Sequence, residues 1–298
     1  MGVTTSDHVL VVASAFRPPD YPCVFPLQRG CETSAVADVT EINDAADPRL
    51  DDFRDLSTAD RRPDRPGGRG LVIAEGVVVV ERLLASPYPV RGLLGVRRRI
   101  EALDLEKLDV PAYVTSAEVM AEVVGFHLNR GVLAAADRAP QPSLDELASN
   151  ARRLAVLEGV GDHENLGSLF RNAAALGIDG VVLGPGCSDP LYRRSVRVSM
   201  GHVLRVPFAS TDQWPAGLNL LRQKGFTVAA LTPRASAAGL ADAGLRGKRV
   251  AVLLGSEGPG LTDEAIEAAD LAVRIPMADG VDSLNVATAG AIAFYALL

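Results

Sequence analysis

The second half of the chain carries short apolar runs that show no polar–apolar alternation. From Leu154 onward these runs are Ala155–Leu157, Gly180–Leu183, Val203–Phe208, Thr227–Leu231, Arg249–Leu254 and Leu271–Ile275. Segments of helical spacing lie between or after them, at Asn165–Leu176, Leu191–Ser199, Trp214–Lys224, Asp263–Ala268 and Leu284–Leu297. A strand with one face in water alternates in polarity, whereas a strand covered on both faces does not. The pattern therefore predicts an open α/β fold, with a parallel sheet between two layers of helices. In such folds ligands bind at the carboxyl ends of the strands.

The first half is less regular. Residues 1–38 contain Pro18, Pro19, Pro22 and Pro26 and little periodicity, so a loose leader is expected. The apolar run Val9–Phe16 is short and has no basic segment before it, which argues against a signal peptide. A short helix is expected over Pro48–Leu56, then an Arg- and Pro-rich loop, with the compact part starting near Gly70. Strands are expected at Leu71–Glu75, Val90–Val96, Ala112–Thr115 and Gly131–Ala136, and helices at Gly76–Ala85 and Arg97–Leu103. Thr115 and Glu118 have capping-box spacing before a helix reaching Val124, and Ser143 and Glu146 repeat it before a linking helix over 144–153. The division that follows is 39–140 for a smaller α/β unit, 141–153 for the link and 154–298 for the larger one.

Charge bears on the choice of partner. The net charge is −7, yet only three of the 30 basic residues are lysines (Lys107, Lys224, Lys248). The arginines cluster at Arg61, Arg62, Arg65 and Arg69, at Arg97, Arg98 and Arg99, at Arg152 and Arg153, and at Arg193, Arg194 and Arg197. Local patches, and not the total, set contact with phosphate. Arg61, Arg62, Arg65, Arg97, Arg98, Arg193 and Arg194 are therefore candidate contacts to a nucleic-acid backbone, against the simpler alternative of solvated surface. No segment has the length and apolarity of a membrane helix. The three widely spaced cysteines show no metal-ligand spacing, which suits a reducing cytoplasm, and no metal site is expected.

Three segments at predicted strand ends could carry chemistry. In Asn165-Leu166-Gly167-Ser168-Leu169-Phe170-Arg171, an amide stands at a helix start and a guanidinium six residues on. Asn165 could equally be a plain N-cap. Leu254-Gly255-Ser256-Glu257-Gly258-Pro259-Gly260 runs from a strand into a glycine-rich turn, with Thr262 placed to cap the next helix. It lacks the Gly-Lys-Ser/Thr of a phosphate loop, and its glycines are in the wrong order for a dinucleotide site. A tight turn alone has no need of Glu257. Ile275-Pro276-Met277 ends a strand, and Ser283-Leu284-Asn285-Val286 opens the last helix, with Asp282 or Ser283 as its expected cap.

Taken in order, Asn165-x-Gly167-x-x-x-Arg171, Gly255-Ser256-Glu257-Gly258-x-Gly260, and Ile275-Pro276-Met277 with Ser283-Leu284-Asn285-Val286 resemble the three motifs of the SpoU/TrmH family. That family consists of RNA ribose 2′-O-methyltransferases of the SPOUT superfamily. Ser199-Met200-Gly201 also fits it. The resemblance spans Leu154 to Leu298, and more softly Leu71 to Arg138 as an RNA substrate-binding domain. It implies a trefoil-knotted α/β domain, a homodimer formed through the C-terminal domain, and S-adenosylmethionine as cofactor. By position the cofactor would meet Leu231, Thr232, Leu254, Gly255, Ser256, Gly258, Gly260, Ile275, Pro276, Met277, Ser283, Leu284 and Asn285. The catalytic set implied is Asn165, Arg171, Glu257, Ser283 and Asn285, with Glu257 orienting Arg171. The target is expected to be ribosomal in preference to transfer RNA. A non-catalytic RNA-binding protein of the same fold is the alternative, and a dinucleotide-dependent enzyme fits less well.

Overall fold

The computed structural model describes residues 38–56, 70–104 and 109–298. The expected leader and Arg61, Arg62, Arg65 and Arg69 therefore lie outside the described residues. The first unit contains β1 (Val39–Glu41), β2 (Val72–Glu75), α1 (Val77–Leu84), β3 (Val90–Gly95), α2 (Arg97–Ile100), β4 (Ala112–Val114), α3 (Ala117–Val124) and β5 (Val132–Ala136). Its sheet has the order β1-β4-β3-β5-β2, parallel across β1, β4 and β3 and antiparallel at β5. Then comes α4 (Leu144–Asn150), opened by the Ser143–Glu146 capping box.

The second unit contains β6 (Arg153–Glu158), α5 (His163–Ala175), β7 (Gly180–Leu183), α6 (Arg193–Val198), β8 (Phe208–Ser210), α7 (Gly217–Gln223), β9 (Thr227–Leu231), β10 (Ala238–Gly239), β11 (Val250–Gly255), α8 (Asp263–Glu267), β12 (Leu271–Arg274) and α9 (Val286–Ala296). Its seven strands pair in the order β10-β12-β9-β11-β6-β7-β8, all in parallel.

The lack of alternation in the sequence has a direct cause in this packing. In β11, Val250, Val252 and Leu254 enter one apolar cluster, while Ala251 and Leu253 enter the cluster on the opposite face. β6 divides likewise, with Ala155 and Leu157 on one side and Leu154 and Val156 on the other. Period-2 geometry is present, but both faces are covered, so both sets are apolar. The first cluster also takes in Val79, Val80 and Leu83 of α1 with Leu191, Val196 and Val203, so the two units share one core.

Five expectations are corrected. The compact structure begins before Gly70, because β1 pairs with β4 and Ile42, Leu50, Phe53 and Leu56 are buried. Of the helix expected over Pro48–Leu56, a 3-10 helix forms at Pro48–Phe53. The run Val203–Phe208 is not a strand. His202–Leu204 is a 3-10 turn, and β8 starts only after Pro207, which has no N–H to give a sheet ladder. α3 is capped by Ser116, whose hydroxyl accepts from Val119 N–H, and Thr115 is buried one residue earlier. α2 stops at Ile100, short of Leu103.

Candidate active site

The site is built at the carboxyl ends of neighbouring strands. β12, β9, β11 and β6 lie side by side, so Leu231, Gly255 and the Ile275 segment emerge along one edge. Thr232 is buried, and its N–H donates to Val273 C=O.

Asn285 joins three distant parts of the chain. It is the N-cap of α9, its Oδ1 accepting from Ala287 and Thr288 N–H at 3.0 and 3.2 Å. Its Nδ2 donates to Asn165 Oδ1 at 2.8 Å and to Glu257 Oε1 at 2.6 Å. One amide therefore caps the last helix and ties α5 to the loop after β11. Asn172 Nδ2 adds a bond to Ala287 C=O at 2.9 Å. Gly290 lies so close to α5 that a Cβ there would come within 2.5 Å of Leu169 Cδ2. Asp282 and Ser283, expected as caps, stand in the exposed loop before Asn285, and Ser283 makes no hydrogen bond among the described residues.

Asn165 is not the cap of α5. Asp162 is, with Oδ1 accepting from Glu164 and Asn165 N–H at 2.9 Å each. The first-turn position frees the Asn165 side chain for Asn285.

The loop after β11 doubles back tightly. A Cβ on Gly255 would fall 2.2 Å from Gly260 C and Leu261 N. Gly258 and Gly260 hold φ of 87° and 75°, and around each a Cβ would meet no atom within 4 Å. Those two glycines thus border open space, with backbone that only glycine adopts cheaply. Below the loop sits a carboxylate that the sequence did not single out. Glu158, 5 % exposed at the end of β6, accepts from Trp214 Nε1 at 2.5 Å, Thr262 N–H at 2.9 Å and Thr262 Oγ1 at 2.8 Å. Thr262 in turn caps α8. The signal in the sequence was an acid closing an apolar run.

Arg171 does not meet Glu257, and the expected orienting pair is absent. Arg171 lies six residues beyond Asn165 on α5, on a different side of the helix, and has no carboxylate partner among the described residues. Its electrostatic neighbours are Arg82 and His202. Burial and the charges of Arg82, Arg205 and Arg171 push the His202 imidazole down to about 4.

The arginine runs divide. Arg193, a candidate RNA contact, is half-buried, bonded to the buried Glu75 at 3.1 Å and stacked over Phe126, so its guanidinium already has partners within the fold. Arg194 pairs with Glu164 and Arg97 with Glu41, both at the surface. Arg98 is exposed. Of the remaining expected cofactor positions, Ile275 and Pro276 line a cleft of about 460 Å³ with Leu240, Leu245, Ile292 and Tyr295. Leu254 is buried, Ser256 is half-buried and bonded to Gly260, and the loop between β12 and α9 carries a half-buried Met277 and an exposed Leu284.

A family model described as the SpoU rRNA methylase family matches residues 152–295. A tRNA/rRNA methyltransferase of Mycobacterium tuberculosis, uncharacterized by its own name, is 57% identical over 87% of this chain and 91% of its own. The chain belongs to the SpoU family. A 23S rRNA guanosine 2′-O-methyltransferase of Bacillus subtilis is 28% identical over 86% of this chain and 98% of its own. Among solved structures, an S-adenosylmethionine-bound rRNA methyltransferase of Sinorhizobium meliloti superposes with a TM-score of 0.74 at 24% identity, covering 87% of this chain and 97% of that one. That likeness establishes the mixed α/β fold with its parallel sheet.

Proposed function

We propose that this SpoU-family chain transfers a methyl group from S-adenosylmethionine to a ribose 2′-hydroxyl of RNA, ribosomal in preference to transfer RNA. The observation that carries the reading is the junction of Asn165, Glu257 and Asn285 beside the open faces of Gly258 and Gly260. The residues fit the cofactor. Backbone at Leu231–Thr232, Leu254–Gly260, Ile275–Met277 and Ser283–Asn285 would hold an adenosine by hydrogen bonds without an acidic ribose ligand. When bound, the cofactor supplies the activated methyl carbon.

The chain's own task is then to hold the acceptor oxygen in line and to favour loss of its proton. Asn285 fixes the Glu257 carboxylate and the Asn165 amide in one place, so neither must be ordered during the reaction. Arg171 is a poor proton acceptor, because free guanidinium stays protonated up to a pKa above about 12. Its role is to bind a neighbouring phosphate and stabilise the negative charge that builds on the 2′-oxygen.

Several features support a homodimer through the second unit. Val281, Leu284, Ile292, Tyr295 and Leu298 are exposed, Tyr295 by 70%. Together they give α9 and its entry loop an apolar outer surface beside the Ile275–Pro276 cleft. The trefoil knot expected of the family belongs to the same reading, as does a substrate-binding role for the first unit. No helix among the described residues is long and apolar enough to cross a membrane.

The test is transfer of labelled methyl from S-adenosylmethionine to purified ribosomal RNA and, separately, transfer RNA, followed by mapping of 2′-O-methyl positions. Labelled ribose in ribosomal RNA is expected. Arg171→Ala should abolish transfer while cofactor binding persists, and near-wild-type turnover in that variant rejects its role. Cofactor binding without transfer to either RNA would favour a non-catalytic RNA-binding protein.

A further inference from the structure

Some arginines of the sequence runs are neutralised in the fold, while arginines scattered along the chain converge. Arg193, Arg194, Arg97, Arg138 and Arg234 each pair with a carboxylate. Arg171 and Arg205 are exposed and have no such partner among the described residues. They come together with Arg82 and His202 where α1 and α5 each pack on the turn His202–Leu204.

Close contacts join the two units at this point. Arg82 Nη1 donates to Met200 C=O, which joins α1 of the first unit to the turn of the second. Gly201, with φ of 80°, sits so close to α1 that a Cβ would lie 3.2 Å from Val79 Cγ1 and 3.3 Å from Arg82 Cβ. His202 follows directly, and Arg205 ends the turn.

Uncompensated like charges repel, and this chain has a surplus of acid with which it could have paired them. We propose that Arg82, His202 and Arg205 form, beside Arg171, a seat for a backbone phosphate of the RNA substrate. The seat rests on the RNA methyl-transfer reading and adds to it. It brings the first unit into substrate binding through Arg82, and it uses none of the arginines grouped in the sequence.

The chemistry suits a phosphate. Guanidinium groups bind its oxygens in pairs. A neutral imidazole presents one N–H donor, and burial, reinforced by the neighbouring guanidinium charges, keeps the half-buried His202 neutral. An anion seated among these groups removes the repulsion that burial otherwise aggravates.

The probe is a fluorescently labelled RNA hairpin. Its binding to the full-length protein is measured by polarisation from about 50 to 200 mM salt. Arg205→Ala and Arg205→Glu should weaken binding at every salt concentration and reduce the slope of log affinity against log salt by about one per lost phosphate contact. Arg205→Lys should keep the slope, and Arg82→Gln should lower it as Arg205→Ala does. Arg205 is exposed, so its variants report even if Arg82→Gln fails to fold. Unchanged affinity and slope in both Arg205→Ala and Arg205→Glu overturn the seat, while methyl transfer by those proteins would leave the reading beneath it standing. A wild-type protein that binds S-adenosylmethionine calorimetrically but no RNA overturns both.

Discussion

Asn285 and Asn165 stand 120 residues apart in sequence, and their amides meet at 2.8 Å. The same Nδ2 reaches Glu257, and the same side chain's Oδ1 caps α9. Its two ends can be separated by substitution. Asn285→Ala removes both the cap and the junction, so stability should fall by about 1 kcal/mol for the cap alone. Asn285→Asp keeps an acceptor for Ala287 and Thr288 but sets a second carboxylate against Glu257. Its melting temperature should lie above that of Asn285→Ala, and its methyl transfer should be as low or lower. Equal activity in Asn285→Asp and wild type would show that the junction is not part of the site.

Glu158 offers a second measurement, because its partner Trp214 is the only tryptophan in the chain. Three donors converge on this buried carboxylate. Glu158→Ala leaves the indole N–H and both Thr262 donors without their acceptor, at a cost of about 1–3 kcal/mol for each buried group left unsatisfied. Tryptophan emission should shift to longer wavelength as water enters, and cofactor binding should weaken because Thr262 no longer anchors the loop carrying Glu257. Unaltered emission together with unaltered cofactor binding would dismiss this anchoring role.

The sequence was most readable where local rules act alone. Thr227–Leu231 and Gly180–Leu183 form strands over the expected residues, and the Ser143–Glu146 box opens α4 as its spacing demands. It was least readable where a partner distant in sequence decides. Val39–Glu41 is too short to announce itself and exists because β4 pairs with it. Asn165 looks like a cap because the usual sign of one is a polar residue before an apolar stretch, yet Asp162 takes that place. Arg193 and Arg194 are adjacent in sequence but differ in fate, since only Arg193 faces Glu75 and Phe126 across the two units. Arg82, Arg171 and Arg205 form no run, so no local pattern in the sequence groups them.

Gly255 and Gly258 lie in one loop and should respond differently to alanine. At Gly255 the new methyl would coincide with the Gly260–Leu261 backbone, which cannot give way as a flexible side chain could. Gly255→Ala should lose cofactor binding and much of its stability. At Gly258 the space is open and only the positive φ is penalised, by roughly 1–2 kcal/mol. Gly258→Ala should fold, with a modest drop in melting temperature. Similar melting curves for the two would contradict the close approach at Gly255.

Arg193 and Arg194 separate a buried structural arginine from a surface one. Its side chain bonds to Glu75 in the interface between the units, and burial lowers its pKa below the usual guanidinium range. Arg193→Ala leaves the Glu75 carboxylate buried without its partner, an arrangement that costs about 3–5 kcal/mol in comparable buried pairs. The double variant Arg193→Leu, Glu75→Leu should recover much of that loss. Arg194→Ala, by contrast, removes a surface pair worth at most about 1 kcal/mol and should leave the melting temperature nearly unchanged. A stable Arg193→Ala protein with a reduced salt dependence of RNA binding would return Arg193 to the list of RNA contacts.

His202 supplies the pH prediction. Its imidazole is pushed from an ordinary value of 6.5 down to about 4, first by burial and then by Arg82, Arg205 and Arg171. The unfolded chain therefore takes up a proton as pH falls through about 6.5, while the folded chain declines it until about 4. Protonation thus favours the unfolded state across that window. The stability associated with a neutral His202 is complete above pH 6.5 and drains away as pH falls towards 4. Replacement by Gln, which has no charge to acquire, should flatten the decline of melting temperature over the upper part of the window, where carboxylates are still ionised. Parallel melting curves for wild type and His202→Gln between neutral pH and the onset of carboxylate titration would show that His202 titrates as an ordinary surface histidine.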